Sequence, residues 1–365
     1  MINIEQFRQS ILNTKSAIEM TDVGVHYGSK EALKQVNLKI PRNRVTVLIG
    51  PSGCGKSTTL RSINGLVPVS RGSITYPGLD TSLDDIVELR RNMGYAIQSV
   101  GLIPHLTVWE NVSLVPHLLG WDKARRRERS SELLQLVKLD PGEYMEKFPS
   151  QLSGGEGQRV GVARALGADP HVLLMDEPFG AVDPLNRETL QDEFIRIQRK
   201  LKKTVIFVTH DLEEAVRLAD YLVIMKDGEI VQADHPEAIL AEPADEFVEQ
   251  FLGPDRALKR LTLFTADQLS QPLYSPEGAA PLPEGRCVWE TDGAGIPVGV
   301  RAMVRGKEIR RSIEPGNQTV REYSSLKECM SRILSLGLPA VPVVDDDLTL
   351  RAELRYEHIQ EVSLQ

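Results

Sequence analysis

Short runs of apolar, often β-branched residues alternate with helical patterns through the first two thirds of the chain. The clearest runs are Val45–Ile49, 172–175 and 205–208, and a further run, 93–97, leads into Gln98. Continuous apolar runs are typical of parallel strands that helices cover on both faces. The pattern therefore predicts an α/β fold with a mainly parallel sheet, in which ligands bind at the carboxyl ends of the strands.

The pattern changes after residue 253. Residues 271–285 are rich in Pro, Gly and Ala and lack helical periodicity. Residues 325–336 then have helical spacing and are followed by an apolar run, a further strand and a helix that ends near Ile359. We expect a domain boundary near Pro254, and an N-terminal extension over residues 1–17. With 365 residues, 41% of them apolar, the chain can bury one large core and a second, smaller one.

Charge and cysteine content exclude several classes of protein. The net charge of -8 at pH 7 argues against a nucleic-acid partner, because such a surface must neutralise many phosphates. Cys54, Cys287 and Cys329 lie far apart and form no C-x-x-C pair, which favours a reducing compartment. No window approaches the roughly 18 consecutive apolar residues of a membrane span.

A phosphate-binding loop follows the first apolar run. Residues 50–58 match the pattern G-x-x-x-x-G-K-[ST], and a helix is expected to begin near Ser57. Loop N–H groups and the helix N-terminus can converge on an anion there. Lys56 would reach the β- and γ-phosphates, and the Ser57 hydroxyl would ligate Mg²⁺. The predicted nucleotide-binding residues of this loop are Gly50, Pro51, Ser52, Gly53, Cys54, Gly55, Lys56, Ser57 and Thr58.

Two acids end the run 172–175. We expect Asp176 to hold Mg²⁺ and Glu177 to polarise the attacking water. Because successive side chains of a strand alternate, the two carboxylates should point to opposite faces. The alternative is an acidic turn that ends at Pro178, and the phosphate loop earlier in the chain favours the catalytic interpretation.

Residues 152–159, Leu-Ser-Gly-Gly-Glu-Gly-Gln-Arg, resemble the signature of ABC ATPases. Ser153, Gly154 and Gly155 would expose N–H groups at a helix N-terminus, which attracts a phosphate. The resemblance implies that this segment binds the nucleotide of an opposing subunit, so that two copies of the chain sandwich two ATP molecules. Glu156 and Gly157 depart from the polar residues common in the family. A carboxylate beside the γ-phosphate would slow closure, and we expect it to point away.

Further residues extend the resemblance to about residues 18–253, which implies a P-loop NTPase fold of ABC type with antiparallel and helical subdomains. Tyr27 resembles the aromatic residue that stacks on adenine, although a strand-edge tyrosine is the alternative. Gln98 resembles the glutamine that contacts Mg²⁺ and the attacking water, and Asp183 an acid that connects the two nucleotide sites. His210 can donate to the γ-phosphate, and Asp211 can cap the next helix.

The resemblance thus implies ATP and Mg²⁺ as cofactors. The predicted catalytic residues are Lys56, Gln98, Glu177 and His210. The predicted metal ligands are Ser57, Gln98 and Asp176.

The resemblance also implies a place in a transporter. One nucleotide unit without membrane spans implies a peripheral ATPase on the cytoplasmic face of the inner membrane, bound to permease subunits through the helical region after Gln98. Residues 89–108, 114–121 and 158–166 resemble the ATPases of importers for glycine betaine, choline, carnitine or related quaternary amines, which also use a solute-binding protein. The alternatives are an importer of another small solute, such as an amino acid, and a soluble ABC switch that acts on a macromolecule.

Residues 254–365 resemble a regulatory region of cystathionine-β-synthase (CBS) type, most clearly at 325–360. Residues 262–318 lack the helix-then-strand pattern of the first half of such a pair. Intact copies bind adenosine compounds through a Thr and an Asp, but Arg355 and His358 stand at those places. Nucleotide binding, dimerisation, sensing of ionic strength and a purely structural role all stay open for this region.

Overall fold

The computed structural model describes residues 16–77, 85–97, 101–180, 184–275 and 282–364. The strands in these ranges are β1 (Ser16–Tyr27), β2 (Lys30–Pro41), β3 (Val45–Ile49), β4 (Arg71–Thr75), β5 (Met93–Ala96), β6 (Val172–Asp176), β7 (Thr204–Val208), β8 (Tyr221–Lys226), β9 (Glu229–Asp234), β10 (Cys287–Thr291), β11 (Pro297–Val304), β12 (Lys307–Ser312), β13 (Val320–Arg321), β14 (Ala340–Val344) and β15 (Leu350–Arg355). The α-helices are α1 (Lys56–Ile63), α2 (Ile86–Arg91), α3 (Val108–Val112), α4 (Leu114–Leu118), α5 (Lys123–Leu136), α6 (Pro141–Tyr144), α7 (Gly154–Leu166), α8 (Pro184–Leu201), α9 (Leu212–Leu218), α10 (Pro236–Ala241), α11 (Glu246–Leu252), α12 (Arg256–Arg260), α13 (Leu326–Leu336) and α14 (Tyr356–Leu364).

The central sheet has six strands in the order β5-β6-β7-β3-β8-β9. All neighbours run parallel except β8 and β9. Every residue of β3, β6 and β7 is buried, which explains why these strands are continuous apolar runs in the sequence. The predicted α/β fold is confirmed. Because β6, β7 and β3 are adjacent, the segments that follow them meet at one edge of the sheet.

Two further layers cover this sheet. Strands β2, β1 and β4 form an antiparallel sheet, and its apolar side chains share one core with those of β3 and α1, for example Leu33, Leu48 and Leu60. The helices α3 to α7 lie in sequence between β5 and β6, and α7 packs against α3, α5 and β5. Both layers therefore adjoin the strands that carry the predicted motifs.

The described residues divide into two compact units, one of residues 16–239 and 243–251 and one of residues 240–242 and 252–364. In the second unit β10, β11 and β12 form an antiparallel sheet over residues 287–312, part of the range that lacks the helix-then-strand pattern in the sequence. Strand β14 pairs with β13 in parallel and with β15 antiparallel, and this sheet shares a core with α13 and α14. Over the ranges given above, no helix is both long and apolar enough to cross a membrane.

Candidate nucleotide site

The loop between β3 and α1 depends on glycines in conformations that other residues rarely adopt. Gly50 and Gly55 have φ angles of 153° and 110°. A Cβ atom on Gly50 would lie 2.1 Å from the Met225 carbonyl oxygen, and one on Gly55 would lie 2.6 Å from Leu33 Cδ2. A larger residue at position 50 would displace the Met225 backbone, and at either position it would have a strained φ angle. Gly55 also gives the N-terminus of α1 no side-chain cap, so its N–H groups suit an anionic ligand.

The Lys56 side chain folds back onto this loop. Its Nζ atom donates to the carbonyl oxygens of Gly50 and Pro51 at 2.8 and 3.0 Å and lies 3.7 Å from Cys54 Sγ. Burial raises the pKa of the Cys54 thiol, so this cysteine fills space as a neutral group. Within the described part of the chain, Lys56 has no ion pair with a carboxylate, which suits a lysine whose counter-ion is a phosphate.

A hydroxyl and a carboxylate meet beside the loop. Asp176, the last residue of β6, is 3% exposed, and its Oδ1 atom accepts a hydrogen bond from Ser57 Oγ at 3.0 Å. Burial raises the pKa of Asp176, while this hydrogen bond and the Arg61 guanidinium, 3.8 Å from Oδ2, oppose the shift. Mg²⁺ commonly takes one or two protein oxygens and completes its shell with phosphate and water. Ser57 and Asp176 together offer two protein oxygens, which suits Mg²⁺ better than a metal that needs a complete set of protein ligands. In the described ranges, no three His, Cys, Asp or Glu residues could hold a metal.

Glu177 and His210 face each other at the same edge of the sheet. His210 Nδ1 lies 3.2 Å from Glu177 Oε2, and their side chains are 68% and 21% exposed. The strand-alternation prediction for Glu177 is wrong, because its φ of 47° takes the chain out of the extended conformation directly after Asp176. Its N–H group donates to the Val208 carbonyl at 3.0 Å, which fixes this left-handed turn against β7. A water molecule bound between this pair and a ligand could exchange a proton with the carboxylate or with the imidazole.

Ser153 is the N-cap residue of α7, so it lies at a helix N-terminus as predicted. Its hydroxyl accepts from the Glu156 N–H at 3.4 Å, and the Ser153 N–H donates to Glu156 Oε2 at 2.7 Å, so the two form a capping box. Glu156 Oε1 also accepts from the Tyr144 hydroxyl at 2.6 Å. These bonds, that of Tyr144 first, lower the pKa of Glu156 to about 2. The unusual acid is thus a charged part of the helix start.

The N-terminus of α7 is exposed on the surface of its own chain. Ser153 and Gly154 are exposed, and a Cβ atom on Gly155 would meet nothing within 4 Å. Across the described ranges, no hydrogen bond or ion pair joins residues 153–155 to the loop 50–58. None of the described residues therefore requires a glycine at position 155, although a second molecule approaching closely would.

Of four further predicted residues, the structure describes Tyr27 and Asp211. Tyr27 is the last residue of β1 and is 49% exposed, so its ring is open to a ligand. The carboxylate of Asp211 accepts from the N–H groups of Glu213 and Glu214, which confirms it as the cap of α9. Gln98 and Asp183 lie outside the described residues.

Sequence reasoning missed two charged residues beside the site. Arg61 lies beside Asp176, and its position four residues after Ser57, on the same helix face, was a usable signal. Glu214 hydrogen-bonds Thr209, the residue before His210. Its pattern in the sequence is only that of an acid in the first turn of a helix, which is ordinary.

The chain is similar in sequence to known proteins. The family described as ABC transporter matches residues 33–180. The osmoprotectant import ATP-binding protein of Salmonella typhimurium is 43% identical over 90% of this chain and 90% of its own length. The choline transport ATP-binding protein of Bacillus subtilis is 53% identical over 64% of this chain and 61% of its own length.

Solved structures agree with these relatives. A dimeric bacterial ABC transporter cassette is 33% identical, has a TM-score of 0.54, and aligns with 60% of this chain and 98% of its own. A second structure of that cassette, in a post-hydrolysis state with ADP and Pi, matches equally well. The chain therefore belongs to the family of ABC transporter ATP-binding proteins and is an ABC-type ATPase.

Proposed function

We propose that two copies of this chain sandwich two Mg-ATP and drive a membrane permease that imports glycine betaine or a related quaternary amine. The main support for the proposal is that the predicted nucleotide-binding residues lie in two separate places on the chain. The loop at Lys56 and the Glu177–His210 pair lie at one sheet edge, whereas the Ser153 helix start faces outward without contact to that loop. The solute follows from the relatives, whose names give osmoprotectants and choline as cargo.

Each residue has a defined role in this proposal. Lys56 and the loop N–H groups hold the β- and γ-phosphates, and Ser57, Asp176 and Gln98 hold Mg²⁺, which neutralises phosphate charge when bound. Glu177 accepts a proton from the attacking water, and His210 donates to the γ-phosphate. Tyr27 stacks on adenine, and Asp183 connects the two sites.

A groove beside β5 is a suitable permease contact. It has a volume of about 330 Å³ and lies between the end of α1, β5 and the helices α4 and α7. Its lining is mainly apolar, and Leu66 and Ile97 on its wall are 50% and 37% exposed. A permease element in this groove would contact α4, which lies in the helical region predicted to bind the permease. The ATPase would then sit peripherally on the cytoplasmic face of the inner membrane, next to a permease served by a solute-binding protein.

We also propose that residues 254–365 regulate the ATPase in response to ionic strength. The support is electrostatic. Several ion pairs of the second unit join partly or largely exposed side chains, such as Arg351–Asp345 at 2.7 Å and Arg301–Glu290 at 3.7 Å. Salt screens such pairs, so their contribution changes with ionic strength.

Replacement of Glu177 by Gln tests the hydrolytic proposal. The amide keeps the shape of the side chain but cannot accept the proton of water. We expect Glu177→Gln to bind ATP with parental affinity, to lose hydrolysis by at least about 100-fold, and to accumulate as an ATP-bound dimer. Radiometric phosphate release, equilibrium nucleotide binding and analytical ultracentrifugation give the three readouts.

The exposed Glu213, near the same edge but outside the site, supplies the matched control Glu213→Gln, which should hydrolyse ATP normally. A Glu177→Gln protein that hydrolyses at the parental rate would exclude Glu177 as the base. A monomeric Glu177→Gln protein in saturating Mg-ATP would exclude the sandwich.

A further inference from the structure

Glu214 is a buried carboxylate four residues after His210, and none of the roles above uses it. It lies in the first turn of α9 and is 6% exposed. Its Oε2 atom accepts a hydrogen bond from the Thr209 hydroxyl, and its Oε1 atom accepts one from Gln191 Nε2 at 3.1 Å. A buried carboxylate is costly unless it is well bonded, so this arrangement restricts what position 214 tolerates. The adjacent Glu213, by contrast, is exposed.

The first of these bonds fixes the turn that carries His210. Thr209 is 2% exposed, and its Oγ1 atom both donates to Glu214 and accepts from the Asp211 N–H at 3.0 Å. The same hydroxyl thus bonds the residue that follows His210. The imidazole of His210 is mostly exposed, so its position depends on this backbone turn rather than on packing.

The second bond reaches α8. Gln191 is 4% exposed, and while its Nε2 atom donates to Glu214, its Oε1 atom accepts from Arg217 at 3.4 Å. Helix α8 begins at Pro184, immediately after Asp183 in the sequence. Glu214 is therefore bonded both to the His210 turn and to the helix that follows the predicted connecting loop.

We propose that Glu214 is a positioning residue for ATP hydrolysis, which holds the His210 turn against α8 so that the imidazole stays aligned with Glu177. The inference rests on the proposed role of His210. A glutamine cannot replace the carboxylate, because its amide offers one acceptor atom and one donor atom where two donors arrive. With Glu214→Gln, either the Thr209 hydroxyl or the Gln191 amide loses its acceptor, and the turn is no longer fixed.

The test uses the full-length chain and separates kcat from KM. We expect Glu214→Gln to lower kcat by about 10- to 100-fold with KM for ATP almost unchanged, as a small misplacement of a reacting group does. Thr209→Val should have the same effect through the other end of the bond, whereas Thr209→Ser, which keeps the hydroxyl, should retain activity. Glu213→Gln is the matched control and should behave as the parent.

A double substitution decides whether Glu214 acts through His210. In a His210→Ala background, Glu214→Gln should not lower the single-turnover rate further, because the group that it positions is already absent. A parental kcat for Glu214→Gln, or a loss that multiplies with that of His210→Ala, would overturn the inference. Parental hydrolysis by His210→Ala alone would instead refute the proposed role of His210, so the two failures are distinguishable.

Discussion

Glu156 is a charged residue that caps the N-terminus of α7. Its carboxylate accepts from the Tyr144 hydroxyl and the Ser153 N–H, and these bonds lower its pKa to about 2 from an ordinary value of 4.5. A group whose pKa falls on folding stabilises the protein above its unfolded pKa, and this stabilisation is lost as the pH falls towards the folded pKa. The contribution of Glu156 is therefore complete above pH 4.5 and declines between pH 4.5 and 2.

We accordingly predict that Glu156→Ala lowers the free energy of unfolding by about 1 kcal/mol at pH 7, the usual effect of a lost cap. The difference from the parent should shrink at pH 4, where the unfolded chain begins to take up the proton. Urea unfolding at both pH values measures it. Glu128→Ala, which removes an exposed acid from α5, is the control and should have little effect. An equal difference for Glu156→Ala at both pH values would contradict the assigned charge.

The residues that sequence predicted and those that it missed differ in a physical way. Lys56, Ser57 and Asp176 stand in short motifs at strand ends, and a parallel sheet brings such ends together whatever the rest of the chain does. Glu214 acts through neighbours that only the folded chain brings close, such as Gln191. The turn at Glu177 depends on a single φ angle, which a hydrophobic pattern does not encode.

Among the elements, the buried strands were the most predictable. β3 has the bounds that its apolar run predicted, because both of its faces are covered. By contrast, β12 reads Lys-Glu-Ile-Arg-Arg-Ser and is almost entirely exposed, so it leaves no apolar run and its sheet could not be predicted. The order of the strands in the central sheet was equally inaccessible, because it depends on how the connections cross between strands.

Residues 123–129 at the start of α5 form a basic run whose arginines lie against two tryptophan rings. The Arg125 guanidinium lies 3.7 Å from the centre of the Trp121 ring, and Arg126 and Arg127 lie 5.7 and 5.4 Å from that of Trp109 on α3. Such cation–π contacts are favourable by roughly 0.5–1 kcal/mol at exposed sites. They join α5 to α3 and to the segment between α4 and α5, a pairing that sequence spacing alone does not predict.

For the whole molecule, the proposed role of residues 254–365 gives a prediction about salt. Deletion of this region should leave ATP hydrolysis but change its dependence on KCl, because the exposed ion pairs that salt screens are then absent. Hydrolysis rates across a KCl series, repeated with sucrose at matched osmolality, separate ionic strength from osmotic effects. If the full-length and the truncated chain show the same dependence of hydrolysis on KCl, the regulatory proposal is refuted.

The proposed two-chain site can be tested by mixing two chains that are each defective. In a Glu177→Gln background, Ser153→Asp keeps a good N-cap for α7 but places a carboxylate where the partner's γ-phosphate would lie. We expect it to weaken ATP-dependent pairing by at least about tenfold without changing nucleotide binding by the monomer. Ser153→Asn, an equally good and neutral cap, is the matched control and should pair normally.

Lys56→Ala in the same background should also fail to pair, because it loses nucleotide affinity. An equal mixture of the Lys56→Ala and Ser153→Asp chains contains one intact site, made of the lysine loop of one chain and the serine helix start of the other. Sedimentation should therefore detect a dimer in the mixture that neither chain forms alone. If Ser153 served the nucleotide of its own chain, no complete site would exist in the mixture and no dimer would appear.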